Sequence, residues 1–311
     1  MTTPSAEPHD RRRVTVGVDG SPPSERAVRW AAATAAGRGL TLHLVHAVDF
    51  APASLLTPTP SAELPFFRPS QVFEWAEEDA TALLSDAEEI ARVTAPDVRV
   101  TTEIALTGSA KWLVELSHRS AMVVLGATGS TRLGELLLGS TPVAVVGHAV
   151  CPVVVARGAA PPIPDDRPVV VGLDGSALSE VAVEAAFVEA SWRRVDLVAV
   201  HVWSDVRPGE VAASPHWFDP VAFEESEHAL VSECLAGFGD RFPDVTVHRK
   251  IYVDGPRGHL TAWSEKAQLV VVGSRGRGGF AGLLMGSTSN TLLREAACPV
   301  MVVRPGASGR R

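Results

Sequence analysis

The chain has 311 residues, of which 46% are hydrophobic and 21% charged, a balance typical of a soluble globular protein with room for two domains. Its formal net charge of −8 argues against non-specific binding to nucleic acid, because proteins that do this are usually basic. The three cysteines are too few and too far apart for a disulfide framework, and no cysteine–histidine cluster has zinc-site spacing.

The first 12 residues are polar and lack the apolar stretch of a signal peptide, so we expect a disordered leader over residues 1–12. No later apolar run reaches the length of a transmembrane helix. We therefore expect a cytoplasmic protein that has no membrane or nucleic-acid partner.

From residue 13 onward, short apolar runs alternate with amphipathic stretches. Five strands are predicted near 13–18, 40–47, 98–105, 121–126 and 152–156, and five more near 168–173, 195–203, 245–252, 269–273 and 300–304. Several of these runs are apolar at every position, which is typical of strands covered by helices on both faces. The pattern predicts an α/β fold with two Rossmann-like domains in tandem, each a five-stranded parallel doubly wound sheet.

An internal repeat organises the chain. The segment Gly-Val-Asp-Gly-Ser around Asp19 recurs as Gly-Leu-Asp-Gly-Ser around Asp174, 155 residues later. Farther along, Gly126 pairs with Gly273 and Cys151 with Cys298, both 147 residues apart. The offset falls from 155 to 147, so repeat two is eight residues shorter. We place this deletion in the loop that corresponds to the proline-rich stretch 49–70 of repeat one, because a loop tolerates a deletion. Repeat one is then 13–157, repeat two is 167–305, and 158–166 is a proline-rich linker.

A glycine-rich loop follows the fourth strand of each repeat. Both loops read Gly, two residues, Gly, nine residues, Gly-Ser, and the glycines are Gly126, Gly129 and Gly139 in repeat one and Gly273, Gly276 and Gly286 in repeat two. Glycines let a backbone approach an anion closely, and the Gly-Ser-Thr that ends each loop opens a helix whose free N–H groups attract phosphate. A simple connecting turn is the alternative. The loop is neither a Walker A motif nor the dinucleotide fingerprint.

Polar residues near the strand ends have two interpretations. Asp19 and Asp174 follow the first strand of each repeat, where a carboxylate can meet a ribose hydroxyl or Mg²⁺, or can cap the next turn. We interpret His46 and His201, inside apolar strands, as satisfied core residues. Trp112 and Trp263 are not equivalent in the repeat and are interpreted as packing residues.

These motifs, together with the Cys-Pro-Val that opens each last strand, resemble the universal stress protein family in its tandem, ATP-binding form. The resemblance implies that ATP, with Mg²⁺, is bound, and that the two repeats pair through their last strands into a pseudo-dimer that itself forms a homodimer. It also implies a regulatory protein partner whose identity the sequence does not give. Carried over position by position, the resemblance assigns these nucleotide-binding residues: Gly17, Asp19, Ala47, Gly126, Gly129, Gly139, Ser140 and Thr141 in repeat one, and Gly172, Asp174, Val202, Gly273, Gly276, Gly286, Ser287 and Thr288 in repeat two.

The two loops differ in their donors. Repeat two has Arg275 where repeat one has Thr128, and it continues with Ser289 where repeat one has Pro142. A cation, a hydroxyl and an additional N–H would all favour phosphate, so we expect repeat two to bind at least as tightly.

Three functions fit the sequence. The first is an ATP-dependent stress sensor or regulator. The second is a slow ATPase or a phosphoryl or nucleotidyl transferase, for which Asp19, Asp174 and Arg275 are candidate groups, but Glu135, the candidate base of repeat one, is replaced by Gly282 in repeat two. The third is a scaffold with vestigial sites, which two intact loops make the weakest hypothesis.

Overall fold

The computed structural model describes residues 12–48, 69–128, 138–158, 165–203, 220–253, 255–277 and 284–304. Side chains at 69–73 and 220–224 are outside this description. The expected leader up to residue 11, linker residues 159–164, most of the proline-rich stretch and Gly129 also lie outside it.

Repeat one contains five strands, each within two residues of its predicted bounds: β1 (Arg13–Gly17), β2 (Thr41–Ala47), β3 (Arg99–Ala105), β4 (Met122–Gly126) and β5 (Val153–Ala156). Its helices are α1 (Pro22–Gly37), α2 (Pro69–Thr94), α3 (Ser109–Leu116) and α4 (Ser140–His148), with a short 3₁₀ turn at Ser117–Arg119. Helix α1 starts where the sequence predicts, because the Ser21 hydroxyl accepts from the Ser24 N–H and a proline occupies the first turn.

Repeat two has the same order of elements, with one additional short helix before its third strand. Its strands are β6 (Val169–Leu173), β7 (Leu197–Val202), β8 (Val247–Tyr252), β9 (Leu269–Gly273) and β10 (Val300–Val303). Its helices are α5 (Ala177–Arg193), α6 (Pro220–Leu235), α7 (Phe238–Arg241), α8 (Pro256–Ser264) and α9 (Ser287–Glu295). None of the helices in the described ranges is long and apolar enough to cross a membrane.

The ten strands form one sheet in the order β3-β2-β1-β4-β5-β10-β9-β6-β7-β8. Within each repeat all neighbouring strands are parallel. The repeats join where β5 and β10 run antiparallel, with Met301 opposite Val154. The doubly wound fold is therefore confirmed, and the strand pairing makes the two expected five-stranded sheets continuous.

Helices cover both faces of this sheet. One core contains the inner faces of α1, α2, α5 and α6, and it buries the alanine stripe of α1 completely, with Ala27 and Ala31 fully inaccessible to water. The other core contains α3, α4, α8 and α9, together with Cys151 and Cys298, both buried as small strand-entrance residues. Strands β4 and β9 contribute to both cores, which is why their runs are apolar at every position.

A polar cluster joins the repeats at the carboxyl ends of α1 and α5. The Glu189 carboxylate, almost fully buried, lies 3.0 Å from Arg38 of repeat one and 3.1 Å from Arg193. The Arg193 guanidinium also donates to Gln268 and lies over the Trp192 ring, 4.4 Å from its centroid. Burial lowers the pKa of Arg193, partly offset by the Glu189 charge. The Oε2 of Glu189 accepts from Arg193 and Trp192 of its own repeat, whereas its Oε1 accepts from Arg38 of repeat one. Removing repeat one would therefore leave that buried oxygen without this partner.

Candidate nucleotide site

Each repeat has a crevice at the carboxyl end of its sheet. The strand order changes direction between β1 and β4 in repeat one and between β6 and β9 in repeat two. Crossovers on opposite sides of such a point leave a gap above the strand ends, where ligands of open α/β sheets bind. Asp19 and Asp174 follow one strand of each pair, and a glycine-rich loop follows the other.

The larger crevice, here called the repeat-two cavity, has a volume of about 490 Å³, within the usual size range of small-molecule sites. All ten residues predicted for repeat two line it: Gly172, Asp174, Val202, Gly273, Arg275, Gly276, Gly286, Ser287, Thr288 and Ser289. The structure therefore brings together residues that are up to 117 positions apart in the sequence.

Close contacts within the protein leave little room for a side chain at two glycines of the repeat-two loop. A Cβ on Gly273 would lie 3.2 Å from Leu178 Cβ, in the first turn of α5, and a Cβ on Gly276 would collide with the Asp174 carboxylate. The third glycine uses its own N–H, which donates to the Ser274 carbonyl at 2.8 Å. The N–H of Gly286 therefore closes the loop and is not one of the free donors at the start of α9.

Free backbone donors lie at the start of α9. Gly286 is the N-cap of this helix, and no side chain in the described part of the chain caps its first turn. The N–H groups of Ser287, Thr288 and Ser289 therefore face the cavity as the open end of a helix, where the dipole favours an anion. The Ser289 hydroxyl is used elsewhere, because it donates to the Gly273 carbonyl at 2.7 Å. The hydroxyl is therefore engaged within the protein, and the N–H of Ser289 is the group that stays open toward the cavity.

Asp174 has the capping role that the sequence offered as one of its two interpretations. Its Oδ1 accepts from the Ser176 N–H at 3.0 Å and from the Ser176 hydroxyl at 2.7 Å, so it caps the turn before α5. Its Oδ2 accepts from the Arg277 N–H at 2.7 Å, which ties the glycine loop to the end of β6. A carboxylate has about four acceptor positions, so lone pairs remain on the cavity side. Asp19 has the same Oδ1 contacts, with Ser21 at 3.0 and 2.6 Å.

The repeat-one cavity is smaller, about 270 Å³. It is lined by all the residues predicted for repeat one that the structure describes: Gly17, Asp19, Ala47, Gly126, Gly139, Ser140 and Thr141. Pro142 is the third residue of α4 and has no N–H, so this helix offers two free donors where α9 offers three. The Thr141 hydroxyl lies 3.2 Å from the hydroxyl of Ser109, the first residue of α3. Trp112, interpreted as a packing residue, is buried but also lines this cavity.

Comparison with known proteins gives the same result for both repeats. The model of the universal stress protein family matches residues 10–157 and again 167–304. The chain belongs to the universal stress protein family. A universal stress protein from Mycolicibacterium smegmatis is 42% identical over 297 residues, covering 94% of this chain and 97% of the relative. Universal stress protein Rv2623 from Mycobacterium tuberculosis is 41% identical over 296 residues, covering 94% and 96%.

Solved structures support the fold of this universal stress protein. One from Archaeoglobus fulgidus aligns over 96% of this chain and 100% of its own with a TM-score of 0.67 and 18% identity. The functionally unknown protein PA1789 from Pseudomonas aeruginosa aligns over 96% of this chain and 94% of its own, with a TM-score of 0.56 and 14% identity. At these identities the likeness concerns the tandem fold alone.

The histidine of the repeat-two cavity is the satisfied core residue that the sequence predicts. His201 is 1% exposed, and its Nδ1 lies 2.9 Å from the Leu173 carbonyl oxygen, which can only accept, so Nδ1 donates. Its Nε2 pairs with the Glu227 carboxyl group. Sequence reasoning missed Glu227, because nothing in the pattern of α6 indicates that one acidic residue points inward.

This pair distinguishes the two repeats of the universal stress protein. In repeat one the place of Glu227 is taken by Ala80, a buried residue 147 positions earlier in the chain. Leu83 and Leu230 support this equivalence, because they have the same offset and each packs against the glycine that follows Asp19 or Asp174. His46, the counterpart of His201, bonds the Val18 carbonyl at 2.7 Å. The sequence also gave no role to Trp203, Pro256, Leu260 and Met285, which form an apolar wall of the repeat-two cavity.

Proposed function

We propose that this universal stress protein binds ATP with Mg²⁺, foremost in the repeat-two cavity, and acts as a nucleotide-dependent regulator in a stress response. The observation that carries the proposal is the repeat-two cavity itself: an uncapped helix N-terminus and a cationic glycine loop face a carboxylate across a half-apolar crevice. One end of such a site suits phosphate and the other suits a flat apolar base.

Each part of the nucleotide has matching groups in the cavity. The N–H groups of Ser287 and Thr288, with Arg275, would hold the phosphates. The apolar wall beside Val202 would hold the adenine. Asp174 would meet the ribose or the metal. Mg²⁺ is usually held by one or two carboxylates together with substrate phosphates, so a single aspartate fits the ion once ATP is bound.

Regulation is favoured over hydrolysis by the state of the possible bases. Among the described residues that line the repeat-two cavity, the carboxylate and imidazole groups are those of Asp174 and His201. Asp174 is engaged by the backbone of its own turn and of the loop, and both ring nitrogens of His201 have partners. His201 therefore has no free nitrogen to orient an attacking water, and the remaining lone pairs of Asp174 would meet the ribose or the metal. Neither residue is thus left as the base that fast phosphoryl transfer requires. Glu135 lies outside the described residues.

Titration calorimetry with ATP and Mg²⁺ tests the proposal, together with mass spectrometry of nucleotides released by denaturation. We expect measurable binding by the full chain and a large loss in Gly286→Glu, which places a carboxylate at the phosphate-facing end of α9. Gly239→Glu is the matched control, because Gly239 lies in α7 with open space around it. No binding by the unmodified chain, or equal loss in both variants, would refute ATP binding. Turnover above roughly 1 per second would instead favour the enzyme hypothesis.

A further inference from the structure

Two arginines at equivalent positions each reach from one repeat to the other. Arg157 follows β5, Arg304 follows β10, and they lie 147 residues apart, the offset of the repeat. Each donates to the backbone of the helix that, at its far end, lines the nucleotide cavity of the opposite repeat. The proposed phosphate-binding function does not use either residue.

Arg157 of repeat one binds the carboxyl end of α9. Its Nη1 donates to the Leu293 carbonyl at 3.0 Å and its Nε to the Ala296 carbonyl at 3.3 Å. Carbonyls at a helix end have no partners within the helix, and the helix dipole makes this end negative. A half-buried guanidinium therefore satisfies two exposed acceptors and complements the dipole at the same time.

The approach of Arg157 to this helix end is built into the backbone. The next residue, Gly158, has a φ of 68°, a left-handed conformation that favours glycine. A Cβ at this position would collide with the Ala297 carbonyl, immediately after the end of α9. Only a glycine lets the chain leave repeat one so close to this helix.

Arg304 of repeat two makes the reciprocal contact with α4. Its Nη1 lies 3.4 Å from the carbonyl of Val146, the residue equivalent to Leu293, and 3.5 Å from the carbonyl of Leu284. Leu284 belongs to the repeat-two glycine loop and lies against α4, where a Cβ on Gly147 would be 3.4 Å from its Cδ1. Burial, and next the nearby Arg275 charge, lowers the pKa of Arg304. These bonds are longer than those of Arg157, so we expect the weaker effect here.

We propose that Arg157 and Arg304 are positioning residues, each of which holds the phosphate-facing helix of the other repeat, so that neither nucleotide site is complete without its neighbour. The inference rests on the proposed nucleotide binding. Helix α9 has nine residues and is about 13 Å long, so it moves as one body when either end is displaced. Losing the contact between Arg157 and the carboxyl end of α9 would therefore shift the N–H groups of Ser287 and Thr288 at the other end of the helix.

The test is a crossed pattern of affinities in the full chain. Gly139→Glu and Gly286→Glu each block one site, so that the other is measured alone by calorimetry with ATP and Mg²⁺. We expect Arg157→Ala to weaken the repeat-two site about threefold to tenfold and to leave the repeat-one site unchanged. Arg304→Ala should weaken the repeat-one site more than Arg157→Ala does. Arg157→Lys should recover part of the loss, because it keeps the charge.

Arg294→Ala is the matched control, because Arg294 lies on α9 itself but bonds only Asn290 of the same helix among its side-chain contacts in the described ranges. Hydrogen exchange of the ligand-free protein supplies a second readout: Arg157→Ala should speed exchange at the end of α9 and not of α4. Weakening of the repeat-one site by Arg157→Ala, or no change at either site, overturns the inference. An unmodified chain that binds no ATP refutes the proposed function, and the exchange pattern then decides whether the arginines position these helices.

Discussion

Exchanging the third residue of α4 and α9 tests why we expect repeat two to bind ATP more tightly than repeat one. Ser289 in α9 and Pro142 in α4 take the same place, and proline lacks the N–H. We expect Ser289→Pro to weaken ATP binding in repeat two, because it leaves two free N–H donors at the helix start. The helix itself should persist, because α4 already begins with serine, threonine and proline.

The size of the effect follows from the lost bond. A hydrogen bond to a charged group contributes about 1.5–3 kcal/mol, equivalent to about a 10- to 100-fold change in Kd. Ser289→Ala is the control, since it removes the hydroxyl that donates to Gly273 but keeps the N–H. We expect Ser289→Ala to cost about 1 kcal/mol in the free energy of unfolding while leaving the Kd for ATP nearly unchanged.

Calorimetry in the Gly139→Glu background, where repeat two is read alone, gives the Kd of each variant, and urea unfolding gives its stability. The reciprocal Pro142→Ser, read in the Gly286→Glu background, should strengthen the repeat-one site. Equal Kd values for Ser289→Pro and Ser289→Ala would refute the reasoning, because the N–H would then not reach the ligand. A large loss in Ser289→Ala would show instead that the hydroxyl leaves Gly273 and binds the nucleotide.

The remaining predictions concern stability and reactivity. In urea unfolding, Gly126→Ala should lower the free energy of unfolding by about 1–3 kcal/mol, because its Cβ would lie 2.7 Å from the Pro23 backbone. Gly258→Ala, in open space on α8, should instead raise the free energy of unfolding by up to about 1 kcal/mol. Burial lowers the pKa of His43 below its ordinary 6.5, so as the pH falls the unfolded chain takes up this proton before the folded chain does. The free energy of unfolding should therefore decrease as the pH drops below 6.5. His43→Gln should flatten this decrease, and equal slopes of stability against pH in the two proteins would contradict the prediction. Under native conditions the half-exposed Cys234 should be the one cysteine of three that a thiol reagent modifies, with all three reacting in denaturant; three fast equivalents in the native protein would contradict the burial of the other two.

The sequence by itself determined the tandem repeat, the ten strands and the place of both cavities. These features depend on local signals: apolar runs too short for helices, amphipathic spacing between them, and a loop spacing that recurs after the fourth strand. The starts of α4 and α9 at Ser140 and Ser287 were predictable because Gly-Ser-Thr is a helix-opening sequence. Asp174 and the glycines could be placed together because parallel strands bring their carboxyl ends to one edge.

Only the tertiary structure decided which polar groups remain available to a ligand. The Gly286 N–H and the Ser289 hydroxyl are bonded within the protein, to partners 12 and 16 residues away, and Glu227 turns inward to His201. The reach of Arg157 across to α9 depends on the antiparallel pairing of β5 with β10. Periodicity describes what one segment buries, but it says nothing about which distant segment satisfies a given donor, because that depends on how the strands and helices are packed together.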